Sequence, residues 1–256
     1  MTIAENIAVV REKIDAAARE AGRTGADITL VGASKMNDAA ACREAVAAGI
    51  DALGENRVQE MVQKLGEHAY DGAPLHFIGH LQRNQVRQVV GHVSLIQSAG
   101  SEALLREIEK AAARWEETLL EQGPGTGAES VGTGTESVGT GGSFVQPILL
   151  EVNIGGEAAK SGFAPENLYA AAELALTLPH IRVDGLMTIP PADADRAANL
   201  RYFDEVRRLY IDIGGNLFHN RLEYLSMGMS GDYEDAVRSG ATMVRVGTAI
   251  FGARNY

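Results

Sequence analysis

Eight short apolar runs, separated by helical patterns, constrain this chain more than any other feature. They span Ile28–Ala33, Asp51–Gly54, Leu75–Ile78, Val93–Gln97, Pro147–Ile154, Ile181–Thr188, Leu222–Met227 and Met243–Val246. ITLVGA and PILLEVNI are apolar at nearly every consecutive position, the pattern of strands buried on both faces in a parallel sheet. The segments between them carry helix signals. Asn37-Asp38 opens AAACREAVAAG, with Gly49 as its stop. Ser101-Glu102 opens EALLREIEKAAARWEETLLEQG, Pro165-Glu166 starts NLYAAAELALTL, and Asp193 begins a charged helix running to about Tyr210. The N-terminal MTIAENIAVVREKIDAAARE lacks an apolar core of the signal-peptide kind and reads as an amphipathic helix. Eight strands with helical crossovers predict an α/β fold, a single (β/α)8 TIM barrel with an N-terminal helix, built as one domain over 1–256. A doubly wound open sheet is the alternative.

One segment does not fit this alternation. Gln122–Ser143 reads QGPGTGAESVGTGTESVGTGGS, with ESVGTG occurring twice. Such Gly/Thr/Ser-rich sequence cannot bury a core and is expected as a disordered surface insertion. It lies between a helix and the next strand, on the barrel face opposite the one that carries chemistry. A partner-binding tail is the other reading.

The formal charge of −11 argues against nucleic acid or an anionic membrane surface as a partner, because both repel it. No run of apolar residues is long enough to span a bilayer. The single cysteine, Cys42, excludes an intramolecular disulfide and a Cys-based metal cluster, and fits a reducing cytoplasm. No metal site is expected.

Chemistry is expected at the C-terminal ends of the strands. There, LVGASKMND places Lys35 after a run of small apolar residues. A lysine desolvated in such a pocket has a lowered pKa and can attack an aldehyde to form a Schiff base. A snorkelling lysine at a strand end is the plainer reading. The far end of the chain bears on the choice. Ser226 ends the seventh strand, Ser230-Gly231-Asp232 opens the next helix, and the eighth strand runs into Gly247-Thr248. Loops after strands seven and eight recurrently form a phosphate site in this fold. Gly247 permits close backbone approach to an anion, and Ser226 and Thr248 add hydroxyl donors. Ser230 is a helix-cap candidate that can also face an anion.

The stretches VGASK, GENRVQE (Gly54–Glu60), HFIGHLQRNQ (His76–Gln85), EVNIGGEAAKSGF (Glu151–Phe163), GLMTIPP (Gly185–Pro191) and LSMGMSGD…VRVGTAIFGARNY occur in this order along the chain. Together they resemble the pyridoxal phosphate homeostasis family, small proteins related to the barrel domain of bacterial alanine racemase. The resemblance covers nearly the whole chain outside Gln122–Ser143. It implies pyridoxal 5′-phosphate as cofactor and Lys35 as the imine lysine. It implies Ser226, Gly247 and Thr248 at the phosphate, Arg245 facing the pyridine nitrogen, Asn56 by the ring substituents and Met187 against the ring. His80 lining the pocket and Lys160 as an anion contact are looser implications. Two departures fall in flanking turns. Met36-Asn37-Asp38 follow the lysine where the family has Thr and a nearby Pro, and Asn84-Gln85 stands where Asn-Lys is usual.

An arginine at the pyridine nitrogen keeps that nitrogen unprotonated, which weakens the ring as an electron sink. Two-base racemisation also needs a group on each face of the substrate carbon. In alanine racemase the second base comes from an added C-terminal domain, whereas this chain stops at Tyr256. The expectation is therefore a cytoplasmic, monomeric cofactor carrier in vitamin B6 and amino-acid homeostasis, in transient contact with apo pyridoxal-phosphate enzymes. A weak racemase with Lys35 as base is the second reading. A sugar-phosphate aldolase using Lys35 without cofactor is the third.

Overall fold

Consecutive apolar residues become strands covered on both sides. In the computed structural model these are β1 (Thr29–Ala33), β2 (Ala52–Glu55), β3 (Leu75–Phe77), β4 (Leu95–Ala99), β5 (Gln146–Val152), β6 (Ile181–Thr188), β7 (Tyr224–Ser226) and β8 (Met243–Val246). The structure describes residues 1–122, 143–157 and 159–252. The eight strands pair in chain order, all parallel, and β8 returns to β1 to close the barrel. Closure rules out the open sheet. The low-complexity segment expected at Gln122–Ser143 lies, apart from its two end residues, outside the described residues.

Strand limits shift where hydrogen bonds at the entry override the apolar pattern. The fourth run was expected at Val93–Gln97, yet β4 begins at Leu95. Ser94 explains the difference, since its N–H and its hydroxyl both donate to the Leu75 carbonyl, at 2.8 and 2.9 Å, and fix it as an entry turn. One crossover also departs from the α-helical pattern. Between β3 and β4 the chain forms a 3-10 stretch, Arg83–Gln88, continued by i→i+3 bonds such as Val89 N–H to the Val86 carbonyl.

Helices α1 (Ile3–Glu20), α2 (Ala39–Ala47), α3 (Val58–Gly66), α4 (Glu102–Gln122), α5 (Leu168–Leu176), α6 (Arg196–Asn216), α7 (Tyr233–Arg238) and α8 (Thr248–Phe251) surround the strands. Their starts follow local capping. Asp38 caps α2 at Ala41 N–H, 2.8 Å. Asp195 caps α6 at Ala198 N–H, 2.7 Å, so that helix starts later than Asp193 and runs past Tyr210 to Asn216. Thr2 and Glu5 form a capping box at α1, whose Ile7, Val10, Ile14, Ala17 and Ala18 are buried. No helix among the described residues is long and apolar enough to cross a membrane.

Two cores result. One fills the space between strands and helices. The other is the barrel interior, where Val31, Ala52, Leu95, Leu149, Met187 and Met243 meet. Strand alternation carries Arg245, Ser226 and Gln97 into that interior as well.

Helix α4 also ties down the entries of β5 and β6. His180, just before β6, places Nδ1 2.7 Å from Glu109 Oε1 and Nε2 3.0 Å from Glu116 Oε2. Its N–H donates to Glu109, and the Phe144 N–H, just before β5, donates to Glu116. Hydrogen bonding to Glu109, opposed by some burial, raises the His180 pKa above its ordinary value. A raised histidine contributes stability that is fully present below its unfolded pKa and is lost as pH rises through the folded one. The melting-temperature difference between wild type and His180→Ala should therefore be larger at about pH 6 than at about pH 9. A difference independent of pH would show that the imidazolium is not what stabilises this corner.

Candidate functional site

The C-terminal mouth of the barrel collects polar groups from nearly every strand. β1 delivers Lys35, half-buried, two residues past the strand end. Pairing of β1 with β8 sets Val31 opposite Arg245 and brings Gly247 against Ala33. A Cβ added at residue 247 would lie 3.4 Å from the Ala33 carbonyl oxygen and 3.5 Å from its Cβ, ordinary contact distances. Crowding inside the chain therefore does not demand glycine there. Its lack of a side chain leaves the surface above Ala33 open.

Arg245 is only 3% exposed. Its Nη1 donates to Ser226 Oγ at 2.5 Å and its Nη2 to the Thr188 carbonyl at 2.8 Å. Burial pushes its pKa down to about 10, while the Asp232 and Glu151 carboxylates pull the other way. It therefore stays a cation at neutral pH. Ser226 Oγ in turn donates a hydrogen bond to Gln97 Oε1 at 2.7 Å, and Gln97 Nε2 lies 2.9 Å from His76 Nδ1. Burial lowers the His76 pKa to about 4, so the ring is neutral and Nδ1 accepts. Every donor in this chain points one way, from Arg245 toward His76.

At the loops after β7 and β8, Ser230 Oγ accepts from Gly247 N–H at 3.1 Å and Ala249 N–H at 3.4 Å. Two backbone donors thus converge on one oxygen beside exposed Thr248. Asp232 accepts from Met229 N–H at 2.6 Å, and burial raises its pKa.

The buried oxygens without a hydrogen-bond partner among the described residues include Asn56 Oδ1 after β2 and Glu151 Oε2 in β5. Such an atom costs about 1–3 kcal/mol, so two of them mark a place shaped for a polar ligand. Asn56 is held by close backbone approach. A Cβ at Gly79 would stand 2.2 Å from the Asn56 carbonyl oxygen, so only glycine lets the two loops touch. Glu151 takes a hydrogen bond on its other oxygen from Ser161 at 3.0 Å. Burial raises its pKa, opposed by Ser161, His80 and Arg245.

The sequence-expected residues divide accordingly. Lys35, Asn56, Ser230 and Gly247 belong to the loops at the mouth, Thr248 opens α8 there, and Met187 is part of the interior beneath. Ser226 is fully buried and bonded to Arg245 and Gln97, and Ser230 is the serine that meets the backbone donors of Gly247 and Ala249. His80 is exposed. Lys160 Nζ sits 2.5 Å from Glu157 Oε2 and donates to the Pro190 carbonyl at 3.2 Å. Sequence reasoning passed over Gln97 and Glu151. Each is a polar residue inside a largely apolar strand, a signal that gains meaning once the face it points to is known.

This barrel and mouth define a class. The family model for the alanine racemase N-terminal domain matches residues 2–255. The alanine racemase of Clostridium difficile shares the fold, with a TM-score of 0.66 at 13% identity over 90% of this chain and 56% of that one. The relatives of full length are closer in sequence. The pyridoxal phosphate homeostasis protein of Pseudomonas aeruginosa is 43% identical over 255 residues, covering 100% of this chain and 97% of the relative. PipY of Synechococcus elongatus, solved with PLP bound, superposes with a TM-score of 0.76 at 29% identity, over 98% of this chain and 100% of PipY. The chain belongs to the pyridoxal phosphate homeostasis family.

Glu151 offers a test of the site's electrostatics. A carboxyl whose folded pKa is raised loses stability for the protein as pH rises through the ordinary carboxylate range and the raised value. Glu151→Gln keeps the acceptor for Ser161 and removes the charge. The ligand-free variant should melt higher than wild type near pH 8, and the gain should vanish at about pH 4. Equal melting temperatures at both would mean that the buried carboxylate is not strained.

Proposed function

We propose that this protein binds pyridoxal 5′-phosphate covalently but reversibly through Lys35, and holds it for delivery rather than for efficient catalysis. The observation that carries the reading is the fixed, buried, cationic Arg245 under the mouth from which Lys35 emerges. The unpartnered Asn56 and Glu151 oxygens and the paired backbone donors at Gly247 and Ala249 support the fit. So do the family membership and a relative solved with PLP.

When bound, the cofactor supplies an aldehyde that condenses reversibly with an amine, and a ring able to withdraw electrons when its nitrogen is protonated. Lys35 contributes the amine. The N–H groups of Gly247 and Ala249, with the hydroxyls of Ser230 and Thr248, receive the phosphate. Asn56 stands by the ring substituents, and Met187 gives the ring an apolar floor. Ser226 acts through Arg245, by accepting its Nη1 hydrogen.

Arg245 decides between carrier and enzyme. A guanidinium only donates, so it leaves the pyridine nitrogen without a proton and holds the ring in its weaker electron-withdrawing form. That disfavours carbanion chemistry at a substrate carbon and suits a tether. A reversible link sequesters a reactive aldehyde, and attack by a second amine, from an apo enzyme or a free amino acid, releases it. Through that exchange the protein takes part in vitamin B6 and amino-acid homeostasis.

The test is addition of pyridoxal 5′-phosphate to purified protein, followed by borohydride reduction and peptide mapping. A visible absorbance band and one label, on the Lys35 peptide, are expected, with both lost in Lys35→Ala. Absence of uptake, or a label on another lysine, would remove the reading. Exchange of amino-acid α-protons at ordinary turnover, roughly 1–10³ s⁻¹, would overturn the carrier assignment in favour of an enzyme.

A further inference from the structure

A buried charged cluster that the cofactor reading does not use lies between the β1–β2 edge and α3. Strand alternation turns Val31 and Ala52 inward and Ser34 and Glu55 outward, toward the helix. Glu55 is fully buried and Lys64 of α3 is 5% exposed. A single oxygen, Glu55 Oε1, accepts from Ser34 Oγ at 2.6 Å, Lys64 Nζ at 2.7 Å and Tyr70 OH at 3.0 Å. Burying an ion pair is rarely more stabilising than apolar packing of the same volume, so stability alone does not account for it.

Its geometry does. Lys64 Nζ also donates to the Ser34 carbonyl at 3.0 Å. That carbonyl accepts from Asn37 N–H at 3.1 Å and closes a four-residue turn, Ser34–Asn37, with Lys35 second. The third residue, Met36, has φ of 63°. The left-handed region costs a side-chain-bearing residue about 1–2 kcal/mol, and this position of such a turn ordinarily takes glycine. The Met36 N–H is held by Glu60 Oε2 of α3 at 2.9 Å. Glu60 is in turn held by Arg57 at 3.2 Å and lies 3.9 Å from Lys64 Nζ. The residues before and after Lys35 are thus both pinned from α3.

We infer that Glu60 and Lys64 are positioning residues for Lys35: they keep the Ser34–Asn37 turn in its strained form and so aim the lysine at the mouth. Neither residue belongs to the mouth itself. Without the Glu60 oxygen, Met36 gains by leaving the left-handed region, and the Lys35–Met36 peptide turns with it. The inference rests on Lys35 being the attachment residue.

The experiment uses Glu60, which is partly exposed, together with the strained methionine. Four full-length proteins are compared with wild type: Glu60→Ala, Glu60→Gln, Met36→Gly and Met36→Gly with Glu60→Ala. Two readouts are taken: amide exchange at residue 36 without cofactor, and the rate of the visible band on adding pyridoxal 5′-phosphate. Glu60→Ala should exchange and lose association rate by roughly tenfold or more, the weight of one hydrogen bond to a charged acceptor. Glu60→Gln, which keeps an acceptor oxygen, should stay near wild type. The double variant should recover the rate, because glycine adopts the turn unaided. Melting temperatures should not track these changes. A Glu60→Ala protein with wild-type exchange and association rate overturns the inference, as does a double variant that fails to recover. A wild type that forms no band overturns the functional reading and this inference with it. A wild-type band with unaltered Glu60→Ala overturns the inference alone.

Discussion

The pairing of β8 with β1 is the contact on which the rest depends. It joins Thr29 to Met243, Leu30 to Val244, Val31 to Arg245 and Gly32 to Val246, from opposite ends of the described chain. Until it forms, Lys35 and the Gly247 loop have no fixed relation, and Arg245 has no interior to enter. Helix α1 stitches this seam. Arg11 donates to the Ile28 carbonyl at the start of β1 and pairs with Asp51, which itself receives the Leu30 N–H at 2.6 Å. Asn6 donates to the Ile250 carbonyl in α8 at 2.8 Å. The N-terminal helix is therefore part of what holds the mouth in register, although it contributes no group to it.

Closure creates a problem that the interior solves with polar partners. A guanidinium in a barrel core is costly unless its N–H groups find acceptors. Ser226 and the Thr188 carbonyl supply two, and the chain continues through Gln97 to a neutral His76. Along that chain Arg245, Ser226 and Gln97 all have partners. Above it, Asn56 Oδ1 and Glu151 Oε2 have none. That contrast between a finished floor and an unfinished rim separates a site built for a ligand from a core polar network built for rigidity.

The barrel was legible because its signal is long and redundant. ITLVGA and PILLEVNI announce strands covered on both faces, and eight such runs leave few topologies. Limits were less legible, since Ser94 reads as part of a strand until both its donors are seen on Leu75. Lys35 and Gly247 stood out only through the ordered motifs around them, since a snorkelling lysine is the plainer local reading of a strand end. Sequence alone puts Ser226 at the phosphate and Ser230 at a helix cap, and the structure sets Ser226 against Arg245 and Ser230 against the Gly247 N–H. Both are serines near the end of β7, and only the strand's last residue decides which turns inward to the arginine. Glu151 and Gln97 escaped notice for a related reason: a polar residue in an apolar run is meaningful only once its face is known. The pinning of Met36 by Glu60 is invisible in sequence, because nothing local announces a left-handed methionine.

The interior network also bears on what chemistry this site can evolve toward. Protonating the pyridine nitrogen requires a carboxylate where Arg245 stands. Such a group would face the Thr188 carbonyl oxygen and could not donate to it, and it would reverse the donor order through Ser226 and Gln97. His76 would then have to carry its single hydrogen on Nδ1 instead of Nε2, a change of tautomer. One substitution thus breaks several hydrogen bonds at once, in a region where each unpaired group is costly. The chain of donors that makes a buried arginine tolerable is the same chain that fixes the ring, on the proposed reading, in its weakly activated form. On that reading, a preference for holding the cofactor over using it would be a property of the whole barrel floor, from β8 through β7 and β4 to β3, and not of Arg245 by itself.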